Sequence, residues 1–387
     1  MRRNRINIST IERDLFALFI LLSCIGIVSI YSASSLLRPN LDSNSFFLTR
    51  HIIWILIGII SGYIVYKIPL GLIKKYSIHI LVLSIFLVFL GSYLNPTSDA
   101  GRWLFYRNGA KSFTTSDLSK IALLVYIAWF LEKYKKNINN ISVGHFKFLF
   151  GIAILLLSII NQPDMSTTIL FSLTFIILVF IGGLKLKYLS YLISVGISFI
   201  FLKIISTPYM LDRILGLFSK ESASNYQVSR ALMAMGSAGF WGKGLGDGIL
   251  KKGFIPEIQG DFIFSVIGEE FGFIFEVVLI SLFALLFIRG LQLAQKAPNH
   301  FSMFLVIGIS INFFLYVFVN IGYVTQLLPT TGLALPFISY GGTHTVSNFI
   351  LIGLLFIPHK VLCEWSLWIR SIFGRTSGRF CYPCNRE

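Results

Sequence analysis

Runs of about 20 residues with few or no charges recur along the whole chain, and each is long enough to cross a hydrocarbon core of roughly 30 Å as a helix. In lipid, backbone N–H and C=O groups must be satisfied within the protein, and a helix does this inside each segment. Apolar runs between polar punctuation place spans near 14–34, 51–69, 76–94, 117–134, 147–163, 167–184, 188–205, 262–288, 301–322 and 346–366. With 55% hydrophobic and only 13% charged residues in 387, no soluble domain of ordinary size is left over. The expected fold is an all-α integral membrane protein of about ten transmembrane helices, forming one polytopic domain over 1–387.

The net charge of +16 resides mostly in short loops rather than on a nucleic-acid-binding stripe. Arg2, Arg3, Arg5 and Arg13 open the chain, and Lys67, Lys74 and Lys75, then Lys133, Lys135 and Lys136, then Lys185 and Lys187 follow every second span. That alternation is the positive-inside pattern. It puts both termini and the tail 367–387 in the cytoplasm, and it puts 35–50, 95–116, 206–261 and 323–345 outside. The first apolar run, Leu15 to Ile30, is longer than a usual signal-peptide core and reads as a retained helix. Cys24, Cys363, Cys381 and Cys384 are too few and too scattered for a disulfide framework, and the lone pair Cys381/Cys384 lacks the second pair a zinc site needs.

The segment 206–261, between spans seven and eight, is the large outer loop and the natural place for a site. It carries Arg213, a glycine-rich run from Gly236 to Gly248, Glu257 and Asp261. Asp261 sits where an aqueous loop meets an apolar helix, so it reads either as a partly desolvated general base or as a helix cap. Glu269 and Glu276, seven residues apart, would share a face of that helix. Asp117 and Lys120 stand three residues apart at the opening of the fourth span and are expected to pair. Arg102 and Trp103 read as an interfacial anchor or as a platform for an anionic lipid. At Gln162-Pro163-Asp164 the proline breaks the helix, and a structural role is expected.

Before the last span, Leu328 to Thr343 holds two prolines and three glycines within an apolar stretch, which forbids a continuous helix. Such a broken element lines a cavity within the protein.

These motifs, in this order, resemble the SEDS family, the FtsW and RodA type of cell-wall glycosyltransferase. The resemblance rests on Gly101-Arg102-Trp103, Ser116-Asp117 with Lys120, Gln162-Pro163-Asp164, Gly239 to Gly246, Pro256-Glu257, Asp261-Phe262-Ile263-Phe264 and Pro336 to Gly342. The chain departs from the family at Gln259-Gly260, where His-Thr is usual, and at Thr114-Thr115-Ser116-Asp117, where Gln-Pro-Ser-Glu is usual. The resemblance implies polymerisation of lipid II, an undecaprenyl-pyrophosphate-linked disaccharide-pentapeptide, at the outer face of a bacterial cytoplasmic membrane. It implies Asp261 as the catalytic base and Arg102, Trp103, Asp117, Lys120, Arg213, Glu257 and Ser339 as substrate-binding residues. A divalent cation, magnesium or manganese, is an optional aid to the departing pyrophosphate. A class B penicillin-binding transpeptidase, divisome proteins and membrane lipids are the implied partners, with the division septum as the location. The stretch Leu328 to Leu333 resembles the division type more than the elongation type. The competing readings are a lipid II flippase, favoured by polar groups through the full membrane depth, and a scaffold that leaves the outer carboxylates unexplained.

Overall fold

The computed structural model describes residues 8–34, 46–94, 103–107, 110–140, 142–162, 164–206, 223–252 and 258–359 of the chain. In chain order they form α1 (Ile8–Ser34), α2 (Phe46–Lys67), a short α3 (Leu70–Lys75), α4 (Ser77–Leu94), an antiparallel hairpin of β1 (Trp103–Arg107) and β2 (Ala110–Thr114), α5 (Thr115–Tyr134), α6 (Val143–Ile160), α7 (Met165–Ile181), α8 (Leu186–Ser206), α9 (Ala223–Ser237), α10 (Ile263–Ala294), α11 (His300–Val324) and α12 (Gly342–Phe356). Seven of these helices are long and apolar enough to cross a membrane, and α7 and α12 are shorter apolar helices. Each expected span overlaps one described helix.

α5 carries Asp117, Lys120, Glu132 and Lys133, yet it lies at the centre of the bundle. Every residue from Ala122 to Ala128 is buried, and the helix touches α4, α7, α11 and α12. A helix covered on all sides can hold charges that lipid would reject, provided the protein partners them. α2 packs closely along α12, where a side chain at Gly62 would meet the Phe349 carbonyl and one at Gly353 would meet the Gly62 carbonyl. Small residues let helices approach this closely in lipid, where van der Waals contact replaces the hydrophobic drive.

The structure departs from an all-helical reading in the β1/β2 hairpin, in which Trp103 pairs with Thr114 and Phe105 with Ser112. Its mixed polar and apolar residues carry no clear period. α9 likewise lies within the stretch 206–261 that reads as a loop without regular structure. The fifth expected span stops at Ile160, and Gln162 then folds back to donate from Nε2 to the Val88 carbonyl at 2.7 Å.

α10 is broken at Gly272, whose φ of 79° and ψ of 177° lie outside the helical region. Glu269 and Glu276 therefore do not share one helical face, because the expected seven-residue spacing assumed an unbroken helix. Instead Glu276 folds back across the break so that its Oε1 occupies the place a side chain at Gly268 would take. The amides and carbonyls freed by the break are taken up by the glycine-rich loop. Phe273 and Ile274 donate to the carbonyls of Gly239 and Phe240, and Lys243 and Gly244 donate to those of Glu269 and Glu270. Gly242, at φ 79°, abuts Gly272 so closely that a Cβ on either would strike the other's backbone.

Candidate active site

α5, α7, α10 and α12 begin, and α6 and α11 end, at one end of the bundle, where hydrogen bonds tie them together. Asp164 caps α7, its Oδ1 accepting from the Thr167 amide at 3.2 Å, while its Oδ2 accepts from the Ser116 hydroxyl at 3.0 Å. Thr114 N donates to Thr343 Oγ1 at 2.9 Å, which fastens the hairpin to the start of α12. Gln162 and Asp164 thus have the structural role expected of them. The non-helical segment 326–341 runs between these helix ends, with Leu333, Leu335, Phe337 and Ile338 buried. Ser166 Oγ donates to its Thr331 carbonyl at 2.7 Å, and Tyr340 N donates to the Gln259 carbonyl at 2.9 Å.

Asp261 is half-buried where the chain enters α10, and Phe262 rather than Asp261 occupies the helix-cap position. Its main chain is pinned. The Asp261 carbonyl accepts from Asn320 Nδ2 at 3.0 Å and from the Tyr323 hydroxyl, and the same Asn320 amide donates to the Leu333 carbonyl at 2.7 Å. Gly332 closes this face, since a Cβ there would lie 3.3 Å from Asp261 Oδ2. The aspartate is thereby held against the 326–341 segment by α11.

A second group of polar residues forms where α5 meets α12. Lys120 is fully buried, donating to Asn348 Oδ1 at 2.8 Å, lying 3.7 Å from Asp117 Oδ1, and standing 5.1 Å over the Tyr316 ring. The expected pair is present, but it is only part of a larger cluster. His344 Nδ1 lies 3.1 Å from Asp117 Oδ1, and the carboxylate keeps 13% of its surface exposed. His344 Nε2 and Asn348 Nδ2 are buried without hydrogen-bond partners. Because His344 Nδ1–H donates to the Asp117 carboxylate, Nε2 of the neutral ring is an acceptor, and the spare donor beside the buried ammonium is the Asn348 amide; ammonium and amide together suit an anion.

Ser339 lies in the 326–341 segment and is 1% exposed; its hydroxyl accepts from the Leu335 amide at 2.7 Å while its own amide donates to the Leu335 carbonyl, so it holds a turn. Trp103 is half-buried in β1. Arg102, Arg213 and Glu257 lie outside the described residues. Among the described residues no three His, Cys, Asp or Glu side chains come together to hold a metal ion.

Sequence reasoning missed His344, Asn348, Tyr316, Asn320 and Tyr323. A signal was there for the first two, in the polar run Thr343-His344-Thr345 with Ser347-Asn348 at the start of an apolar helix. It also missed Arg50 on α2, exposed at the same end, whose guanidinium lies 4.1 Å over the Phe46 ring and hydrogen-bonds the Tyr340 side chain.

Residues 12–361 match the family model described as cell cycle protein, which spans the FtsW, RodA and SpoVE types. The chain is 33% identical over 353 residues to the probable peptidoglycan glycosyltransferase FtsW of Trichlorobacter lovleyi, covering 89% of this chain and 92% of the relative. It is 34% identical over 361 residues to the FtsW of the same description from Geobacter metallireducens, covering 91% and 96%. Against the stage V sporulation protein E of Bacillus subtilis the identity is 32% over 346 residues, covering 87% and 93%. Its fold is that of a chain from a peptidoglycan synthase complex that coordinates polymerization and crosslinking, with a TM-score of 0.72, 22% identity, and coverage of 89% and 96%. It also matches the rod shape determining protein RodA of Thermus thermophilus, with a TM-score of 0.64, 22% identity, and coverage of 89% and 95%. With its motifs in order, its helices superposable on those folds and the match running through nearly all its spans, this multi-pass membrane chain belongs to the FtsW/RodA/SpoVE family of cell cycle proteins.

Proposed function

We propose that this chain is a peptidoglycan glycosyltransferase that polymerises lipid II into glycan strands during septal wall synthesis. The observation that carries the assignment is the half-buried Asp261, its backbone fixed by Asn320 and Tyr323, at the same end of the bundle as a buried ammonium with an unused amide donor beside it. Glycosyl transfer needs both kinds of group. The acceptor sugar hydroxyl loses its proton to the Asp261 carboxylate as its oxygen forms the new bond to the anomeric carbon. The bond from that carbon to the pyrophosphate oxygen breaks, and undecaprenyl pyrophosphate departs carrying negative charge. Lys120 and the Asn348 amide stabilise that charge, and Arg50 offers a further guanidinium at the same end. No step is assigned to a metal ion.

The end bearing Asp261 faces outward in the orientation set by the basic loops. Consistent with that assignment, the opposite end carries the Lys74–Glu132 pair at 2.7 Å and the Arg289–Asp14 pair at 2.9 Å. The division role follows from relatives named FtsW, and a transpeptidase is the proposed partner that cross-links the strands.

The test is Asp261→Asn, which keeps size and shape. Insertion and folding should survive while glycan-strand formation from purified lipid II falls roughly 100- to 10,000-fold. The assay uses the chain reconstituted with its transpeptidase, the transpeptidase's own active site being disabled. Near-normal strands from Asp261→Asn would remove the base from this residue.

A further inference from the structure

The glycine-rich loop between α9 and α10 is built inside out for a loop in water. Its charged partners face inward: Lys251 is 1% exposed, and Glu269 and Glu270 are 0% and 2% exposed. Its apolar side chains face outward. Phe240 is 66% exposed, Trp241 83%, Leu245 52% and Ile249 46%. This apolar edge continues a face that has the character of a lipid contact. α10 is buried from Ile263 to Glu270, whereas Phe273, Ile274, Val277 and Val278 beyond the Gly272 break are exposed, and the Phe240 and Phe273 rings lie 6.1 Å apart.

A second, independent feature is the loop's backbone. The amides of Lys243 and Gly244 donate to carbonyls of α10, those of Ile249 and Leu250 donate to the two Glu269 carboxylate oxygens at 2.8 and 3.0 Å, and Asp247 N donates to the Gly244 carbonyl. The carbonyls of Gly239 and Phe240 are taken by α10 amides. Water would satisfy such groups without help, but lipid cannot, so irregular backbone at membrane depth has to be partnered in this way. Trp241 at the outermost point is the residue type that prefers the headgroup level. Asp247 is the exposed charge of the loop and sets a limit on depth: the edge lies at the interface rather than in the centre of the bilayer.

We propose that residues 238–250 form a membrane-embedded element, with the Phe240, Trp241, Leu245 and Ile249 edge inserted into the leaflet on the Asp261 side. The occupant of this surface is phospholipid. By mooring the loop that leads into Asp261, the insertion keeps the carboxylate at the depth of the lipid headgroups.

The test is independent of the reaction assigned above. In a cysteine-free full-length chain reconstituted alone into phospholipid nanodiscs, a nitroxide is placed in turn at Trp241→Cys, Leu245→Cys, Ile280→Cys as a lipid-facing reference and Lys296→Cys as an aqueous reference. Collision of each label with oxygen is compared with collision with a water-soluble nickel chelate. Labels at 241 and 245 are expected to favour oxygen over the chelate severalfold, as the label at 280 does. Chelate access at 241 and 245 matching that at 296 would overturn the proposal. Shielding from both reagents would overturn it too, by showing that a second copy of the chain rather than lipid covers the edge. If cysteine at 241 prevents folding, Leu245→Cys and Ile249→Cys give the same readout.

Discussion

Two groups of buried charges differ in how much of their hydrogen-bonding capacity the protein itself uses. At the α10 break, Glu269 is saturated, accepting from Lys243 Nζ at 2.8 Å and from the Ile249 and Leu250 amides, while Glu270 Oε1 takes Ser32 Oγ at 2.6 Å and Lys251 Nζ at 3.1 Å and its Oε2 is buried without a hydrogen-bond partner. Where α5 meets α12, Lys120 has one close acceptor and a second at 3.7 Å, the Asn348 amide donor is unspent and His344 Nε2 has no partner. Burying a charge is costly, so saturation marks charges that hold the fold, and spare capacity marks charges kept for a ligand. The first group joins α1, the glycine-rich loop and α10; the second is the proposed site.

The largest effect is expected at the saturated Glu269. Glu269→Gln turns an amide NH2 toward the Ile249 or Leu250 amide and leaves Lys243 without its counter-charge, which should cost about 3–5 kcal/mol of stability. Thermal or denaturant unfolding in detergent measures it. Specific activity per folded molecule should stay within a few-fold of the parent. A stable but inactive Glu269→Gln would break the division between the two groups.

Next is Lys120→Met, a substitution of similar length without the charge. It should fold, because Asp117 keeps His344 and some exposure to water, but strand formation should fall about 100- to 1,000-fold, as for loss of a single donor to a developing negative charge. Full activity with lowered stability would make Lys120 a scaffold charge like Lys251.

Coupling within the site sharpens the point. Asp117→Ala and Lys120→Ala should each lose activity, and the double change should lose little more, giving an interaction energy of about 2–3 kcal/mol in a double-mutant cycle. Additive losses would mean that the 3.7 Å separation is too long for the two to act together.

How far the sequence could be read depended on the range of the interaction. The Asp117–Lys120 pair is visible because three residues on a helix are a fixed distance apart. Gln162 and Asp164 are visible because a cap and a break are local. His344 and Asn348 reach Asp117 and Lys120 from 227 and 228 residues away, and no local period encodes that approach. Likewise the pinning of Asp261 depends on Asn320 and Tyr323, which look like ordinary members of an apolar helix until its end meets the aspartate. The break at Gly272 was hidden by the hydropathy on either side, which continues unbroken while the backbone turns.

Ser339 gives the smallest effect and separates the two kinds of residue within one motif. It stands in the Pro336-to-Gly342 stretch that most resembles the family, and a substrate-binding role was expected for it. Its hydroxyl accepts from the Leu335 amide in a buried turn. Ser339→Ala orphans that amide, so stability should drop by about 1–2 kcal/mol, toward the low end for a buried unpaired donor. KM for lipid II should not change, because the side chain is buried within the turn, and Ser339→Thr keeps the hydrogen bond only if its extra methyl fits. Unfolding midpoints and steady-state strand synthesis on the same preparations decide the case. A raised KM with unchanged stability would return Ser339 to the binding site and would show that the turn opens when substrate enters.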